Sequence, residues 1–145
     1  MVIAIGNDHR AYTLKKKITR YLKDKNINYL DMGSDSEDSC DYPDFGYKTA
    51  KVVSSGEADL GILLCSNGIG MSIVANKVKG VRAALCSTPQ HGKSSRTHNN
   101  ANVLVIGDDS PGNPLEILDA WLNAEFESSG RHGRRVKKIR QLTGL

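Results

Sequence analysis

The sequence predicts an α/β fold in which helices cover both faces of a five-stranded parallel sheet, giving three layers. Five short apolar runs alternate with longer segments whose apolar residues recur at helical spacing. Three of the runs are closed by a glycine, a residue that commonly ends such elements. A length of 145 residues with 39% hydrophobic content suits one domain, residues 1–145.

The strands are predicted from the apolar runs in order along the chain. The first, second and fifth runs are closed by Gly6, Gly33 and Gly107, and the third stops at Cys65. The predicted strands are 2–5, 27–32, 60–64, 81–85 and 102–106.

The segments between the strands predict the helices. Leu14, Ile18 and Tyr21 recur at three- to four-residue spacing, which is typical of an amphipathic helix. Pro43 follows a polar acidic loop and is well suited to the first turn of a helix. The predicted helices are 12–22, 44–54, 71–78, 89–98, 113–127 and 131–142.

Composition excludes several classes of protein. No stretch approaches the ~20 apolar residues that span a bilayer, and the N-terminus lacks the features of a signal peptide, so a cytoplasmic location is expected. Three cysteines without a Cys-x-x-Cys spacing predict neither a disulfide framework nor a metal site.

The net charge of +4 is concentrated near the C-terminus, where residues 131–140 hold six of the 20 lysines and arginines. An aromatic content of only 6% offers no stacking platform for nucleic acid, so no nucleic-acid partner is expected. Arg131 and Arg135 are four residues apart and would share one helix face, where they could clamp a phosphate or simply be solvated.

Ligands of open parallel sheets bind beyond the carboxyl ends of the strands. That rule selects Asp8 and His9 after the first strand, and residues 65–70 after the third. It also selects Ser87 and residues 107–109. No dinucleotide or nucleoside-triphosphate fingerprint is present.

The segment from Cys65 to Gly70 carries the clearest chemical signal. A strand that ends at a cysteine, followed by Ser-Asn-Gly-Ile-Gly and a helix, presents backbone N–H groups to an anion. A thiol in that position is expected to have a lowered pKa and to act as a base or nucleophile. His98, at a predicted helix end, could be a structural residue or a proton carrier at neutral pH. Such a set suits proton transfer beside the carbonyl of a phosphosugar.

Several motifs occur in the same order as in a known family. They are Asp8-His9, Asp41-Tyr42-Pro43, Gly61-Ile62-Leu63-Leu64-Cys65, Gly68-Ile69-Gly70, Ala75-Asn76-Lys77, Gly80-Val81-Arg82-Ala83, Ser95-Arg96, His98-Asn99, Asn102-Val103-Leu104, and Arg131-His132 with Arg135. Over nearly its whole length the chain resembles type B ribose-5-phosphate isomerases, within the group that includes galactose-6-phosphate isomerase subunits. The resemblance implies a Rossmann-like sandwich without a dinucleotide or other cofactor, acting in the non-oxidative pentose phosphate pathway.

The resemblance also implies roles for individual residues. Cys65 would be the carbon-acid base, and His98, helped by Asp8, would open the sugar ring. Family members form dimers, so His98 and Asn99 would reach the partner's pocket and the C-terminal helix would pack on the partner; a tetramer is also open. The implied substrate-binding residues are His9, Tyr42, Ser66, Asn67, Gly68, Ile69, Gly70, Asn99, Asp109, Arg131 and Arg135.

Two positions depart from the family pattern. Asn67 replaces a threonine, although its amide can still donate a hydrogen bond. Asp109 stands where many members have an arginine, and a carboxylate there would repel phosphate. Either the loop 107–112 turns away or another cation, Arg82, Lys93 or Arg96, compensates. Ribose 5-phosphate is the expected substrate; a hexose 6-phosphate, such as that of galactose or allose, or a non-catalytic phosphosugar-binding protein are the alternatives.

Overall fold

The five strands form one parallel sheet in the computed structural model, which describes all 145 residues. The strand order is β2-β1-β3-β5-β4, so β3 occupies the centre of the sheet. The strands are β1 (Val2–Asn7), β2 (Asn28–Asp31), β3 (Leu60–Cys65), β4 (Ala83–Leu85) and β5 (Val103–Gly107). The predicted α/β class and the number of strands are confirmed.

Six α-helices surround the sheet, and a short 3-10 helix, His9–Ala11, precedes the first of them. The α-helices are α1 (Tyr12–Asp24), α2 (Tyr42–Ser55), α3 (Ile69–Ala75), α4 (Pro89–Asn99), α5 (Pro114–Leu122) and α6 (Gly130–Thr143). No helix combines the length and the apolar character that a membrane-spanning segment needs.

Two apolar cores lie on opposite faces of the sheet. One packs α1 and α5 against alternate strand residues, with Ile18, Ile62 and Trp121 fully buried. The other packs α2 and α3 against the intervening residues, including Leu63 and Met71. Since neighbouring residues of a strand point to opposite faces, a strand buried on both faces must be apolar throughout, as β3 is. Two covered faces give the predicted three layers.

Two predicted helix boundaries are wrong for identifiable reasons. The helix predicted over 71–78 occupies Ile69–Ala75, because the Asn76 side chain pairs with both backbone polar groups of Ala83 at 2.9 Å and holds the chain at the start of β4. The helix predicted over 113–127 ends at Leu122. Beyond it, the backbone N–H of Glu127 donates to the carbonyl of Thr97 at 2.9 Å, which draws the chain across α4.

Candidate functional site

The carboxyl ends of β1, β3 and β5 bring most of the predicted site residues to one edge of the sheet. Asn7 pairs in register with Leu64, and Cys65 pairs with Gly107. The residues after these strands therefore lie side by side. They surround a cleft of about 490 Å³ lined by His9, Arg10, Glu37, Ser66, Asp108 and Asp109.

Cys65 is the last residue of β3 and is only 5% exposed. Its Sγ accepts a hydrogen bond from the Gly68 N–H at 3.1 Å. Burial raises the pKa of the Cys65 thiol, the negative charge of Asp8 raises it further, and the N–H groups of Gly68, Met71 and Asn67 oppose both effects. The expected lowering of the pKa of this thiol is therefore wrong: at this strand end the loss of solvation outweighs the N–H groups of the loop.

The loop from Ser66 to Gly70 is shaped by backbone constraints. Gly68 has a φ of +79°, in the left-handed region that glycine adopts without strain. A Cβ at Gly70 would lie 2.5 Å from the Tyr42 ring, so glycine allows the tyrosine to pack on the start of α3. The Oδ1 atom of Asn67 accepts from the Ile69 N–H at 3.0 Å, which leaves the amide Nδ2 of Asn67 free to donate.

Asp8 and His9 are held by local hydrogen bonds beside Cys65. Asp8 is 7% exposed, and its Oδ1 caps the 3-10 helix by accepting from the N–H groups of Arg10 and Ala11 at 3.0 and 3.2 Å. Its Oδ2 has no partner in the protein. The backbone N–H of Cys40 donates to Nδ1 of His9 at 3.2 Å, so the ring proton of a neutral His9 is on Nε2.

His98, Asn99, Arg131 and Arg135 lie at the other edge of the sheet. Because α4 returns antiparallel to the strands, its last residues lie near the strand starts: Nε of Arg82, just before β4, donates to the carbonyl of Asn100 at 2.8 Å. Both residues at the end of α4 are exposed. Within one chain, the structure does not bring these four residues to Cys65.

The His98 ring stacks on His132, with centroids 4.3 Å apart. His132 is 8% exposed and lies 3.6 Å from a Glu127 carboxylate oxygen. Desolvation and the neighbouring His98 keep the pKa of His132 below its usual range. Arg131 and Arg135 are both in α6, one turn apart as predicted, and both are exposed.

Arg10 and Glu37 line the cleft although the sequence reasoning did not select them. Arg10 could have been found, since it directly follows Asp8-His9 at a strand end. Glu37 belongs to the acidic loop after β2 and could not be placed without the tertiary structure.

Comparison with known proteins gives consistent matches over nearly the whole chain. The profile of the ribose/galactose isomerase family matches residues 3–139. The chain is 43% identical to ribose-5-phosphate isomerase B of Escherichia coli, covering 94% of this chain and 93% of that protein. It is 44% identical to D-erythrulose-4-phosphate isomerase of Pectobacterium atrosepticum, covering 94% and 91%. It superimposes with a TM-score of 0.92 on ribose-5-phosphate isomerase B of Mycoplasma genitalium with bound ribulose-5-phosphate, at 40% identity and covering 99% and 96%.

Proposed function

Since the chain belongs to the ribose/galactose isomerase family and is an isomerase, we propose that it interconverts ribose 5-phosphate and ribulose 5-phosphate through a cis-enediolate. The observation that carries the proposal is the position of Cys65, whose sulfur ends the central strand and faces the backbone N–H groups of the next turn. Proton transfer beside a carbonyl needs a base and a stabilised oxyanion in just such an arrangement.

The thiolate of Cys65 removes the proton from C2 of the open-chain aldose, and the C2–H electron pair forms the enediolate. Charge then develops on the oxygens of C1 and C2, where N–H groups of residues 66–70 and the free amide of Asn67 can donate. The thiol returns the proton to C1 while the hydroxyl proton on O2 moves to O1, which yields the ketose with no net oxidation. Burial favours the neutral thiol at rest, and the thiolate is therefore a minor species at neutral pH.

Ring opening requires a proton to leave the anomeric hydroxyl and another to reach the ring oxygen. His98 carries out this proton exchange, and the free Oδ2 of Asp8 accepts a hydrogen bond from the sugar. The phosphate is held by His9, Arg131 and Arg135, whose donors suit a dianion. Tyr42 and Asn99 contact the sugar hydroxyls.

A second copy of the chain completes this site. His98 and Arg131 lie at the sheet edge opposite Cys65, so they serve a Cys65 only in another subunit. Apolar surface beside Cys65 supports the association: Ile69 and Ile73 on α3 are 53% and 57% exposed, and Leu85, which a Cβ at Gly68 would contact, is 41% exposed. A two-fold homodimer would form two such shared sites.

A coupled assay with ribose 5-phosphate tests the proposal on the parent and on Cys65→Ala. Loss of the base should lower kcat by at least about 1,000-fold. Cys86→Ala, which removes another buried thiol outside the cleft, is the matched control and should retain activity. A parent that turns over no phosphosugar would leave only the non-catalytic, ligand-binding alternative.

Mixing two inactive variants tests the shared site. Cys65→Ala and His98→Ala subunits, unfolded and refolded together, should recover about a quarter of the parent activity, because half the dimers would be mixed and each would hold one intact site. Recovery no greater than that of either variant alone would place both residues in a single subunit's site.

A substrate of another length is the second candidate. The similarity to a D-erythrulose-4-phosphate isomerase and the carboxylate of Asp109 in the cleft both favour testing it. Tetrose 4-phosphates and hexose 6-phosphates, including those of galactose and allose, should be assayed beside the pentose. Higher kcat/KM for one of them would replace ribose 5-phosphate as the substrate.

A further inference from the structure

The cleft beside Cys65 has His9 and Arg10 on one side and two carboxylates on the other, and Glu37, from the loop after β2, also lines it. His9 and Arg10 follow β1, whereas Asp108 and Asp109 follow β5, and β3 separates the two strands. Adjacent strands are ~4.8 Å apart, so the two sides face each other across roughly 10 Å. Backbone bonds hold the acidic pair in place, because Asp108 donates to the carbonyl of Cys65 at 2.8 Å and Asp109 to that of Ser66 at 3.0 Å.

Arg10 is the only guanidinium among the residues that line this cleft. Its backbone N–H is bound by the cap residue Asp8, which fixes the turn that carries it. Its side chain is exposed and forms no salt bridge, although Glu37, Asp108 and Asp109 line the same cleft. The charge of Arg10 is therefore available to a ligand.

The three cations that the sequence analysis offered as compensation for Asp109 are engaged or placed elsewhere. Arg82 donates to the carbonyl of Asn100 at the opposite edge of the sheet. Arg96 donates to the carbonyl of Ala101 at 2.9 Å and stacks 5.4 Å from the Trp121 ring. Lys93 is on α4 and does not line the cleft.

We propose that Arg10 is a phosphate-binding residue that, with His9, draws the substrate's phosphate to the β1 side of the cleft and offsets the repulsion from Asp109. This assignment rests on the proposed function for the identity of the substrate. Guanidinium and imidazole N–H groups donate to phosphate oxygens, whereas the carboxylates of Asp108 and Asp109 accept from sugar hydroxyls. The cleft thus orients a phosphosugar by charge and also disfavours a ligand with a second anionic group.

Calorimetric titration with inorganic phosphate tests the assignment without requiring turnover. The proteins compared are the parent, Arg10→Ala, Arg10→Lys and the control Arg20→Ala, which removes an exposed arginine from α1 outside the cleft. Arg10→Ala should raise the Kd of phosphate about tenfold, Arg10→Lys should recover part of the loss, and Arg20→Ala should remain within a factor of two. Asp109→Asn should change the Kd in the opposite direction, by about threefold.

The isomerase assay supplies the second measurement. In Arg10→Ala the KM for ribose 5-phosphate should rise more than kcat falls, because a phosphate contact far from C1 and C2 acts on binding. An Arg10→Ala protein that binds phosphate within a factor of two of the parent, or a parent that binds none, overturns the assignment. If the parent is inactive on ribose 5-phosphate but Arg10→Ala still binds phosphate tenfold more weakly than the parent, the result supports the role of Arg10 and refutes the proposed substrate.

Discussion

The reactivity of Cys65 should rise steeply with pH through the neutral range. An ordinary thiol has a pKa of about 8.5, and burial raises that of Cys65 above its ordinary value despite the Gly68 N–H at 3.1 Å. Below the pKa, the thiolate fraction changes tenfold per pH unit, so alkylation by iodoacetamide should accelerate about tenfold from pH 7 to pH 8. The kcat/KM of isomerisation should follow the same slope if the thiolate is the base.

The measurement is the rate of carbamidomethylation of the Cys65 peptide by mass spectrometry, with the half-buried Cys40 as an internal reference. Asp8→Asn gives a second, independent outcome. Because the Asp8 charge raises the pKa of Cys65, its removal should speed alkylation at pH 7 and shift the titration to lower pH. A rate that is flat between pH 6 and pH 8 would mean that the thiolate is already formed, and would refute the dominance of desolvation.

Three further outcomes follow from individual contacts. Gly68→Ala should lower kcat and should lower the stability of the protein by about 1–2 kcal/mol, because φ is +79° at this position and a Cβ would clash. Thermal unfolding measures the change in stability, and the coupled assay measures the change in kcat. Asp31→Ala should destabilise the protein by about 2 kcal/mol in urea unfolding, since it leaves the buried Lys15 without its carboxylate, whereas Lys15→Met should cost less. The ring nitrogens of His9 should show the Nε2–H tautomer by ¹⁵N NMR at pH 8, because Cys40 donates to Nδ1; a protonated Nδ1 would contradict this.

Local sequence patterns predicted the strands and helices well, because each of these elements depends on residues that are close in sequence. The apolar run of β3 and the glycine turns identified the strands. The rule that ligands bind beyond the carboxyl ends of parallel strands then placed Asp8, His9 and the loop after Cys65 together. The order of the strands within the sheet could not be predicted from local sequence patterns. It depends on which apolar faces meet, and β5 lies between β3 and β4 although it follows both in sequence.

The pKa of Cys65 shows where sequence reasoning failed. The loop supplies N–H donors, as its pattern indicated, yet the thiol shares a buried cluster with Met71, Val103 and Val105. Two of these come from a strand about forty residues further along the chain. The desolvation they cause has no local signature, and it determines the direction of the pKa shift. The position of Glu37 also has no local signature, because tertiary folding alone brings this residue into the cleft.

The separation of the predicted site residues between two edges of the sheet follows from the geometry of a parallel sheet. Each helix must return the chain to the starting edge, and α4, with 11 residues, spans about 16 Å at 1.5 Å per residue. The last two residues of α4, His98 and Asn99, therefore lie away from the strand end that holds Cys65, and a change of side-chain rotamer cannot bring them to it. A chain that uses both ends in one reaction must associate, and the exposed Ile69 and Ile73 lie beside the thiol where such association would bury them. Under the proposed mechanism, substitutions that weaken this contact should abolish turnover while leaving the folded subunit and the alkylation of Cys65 intact.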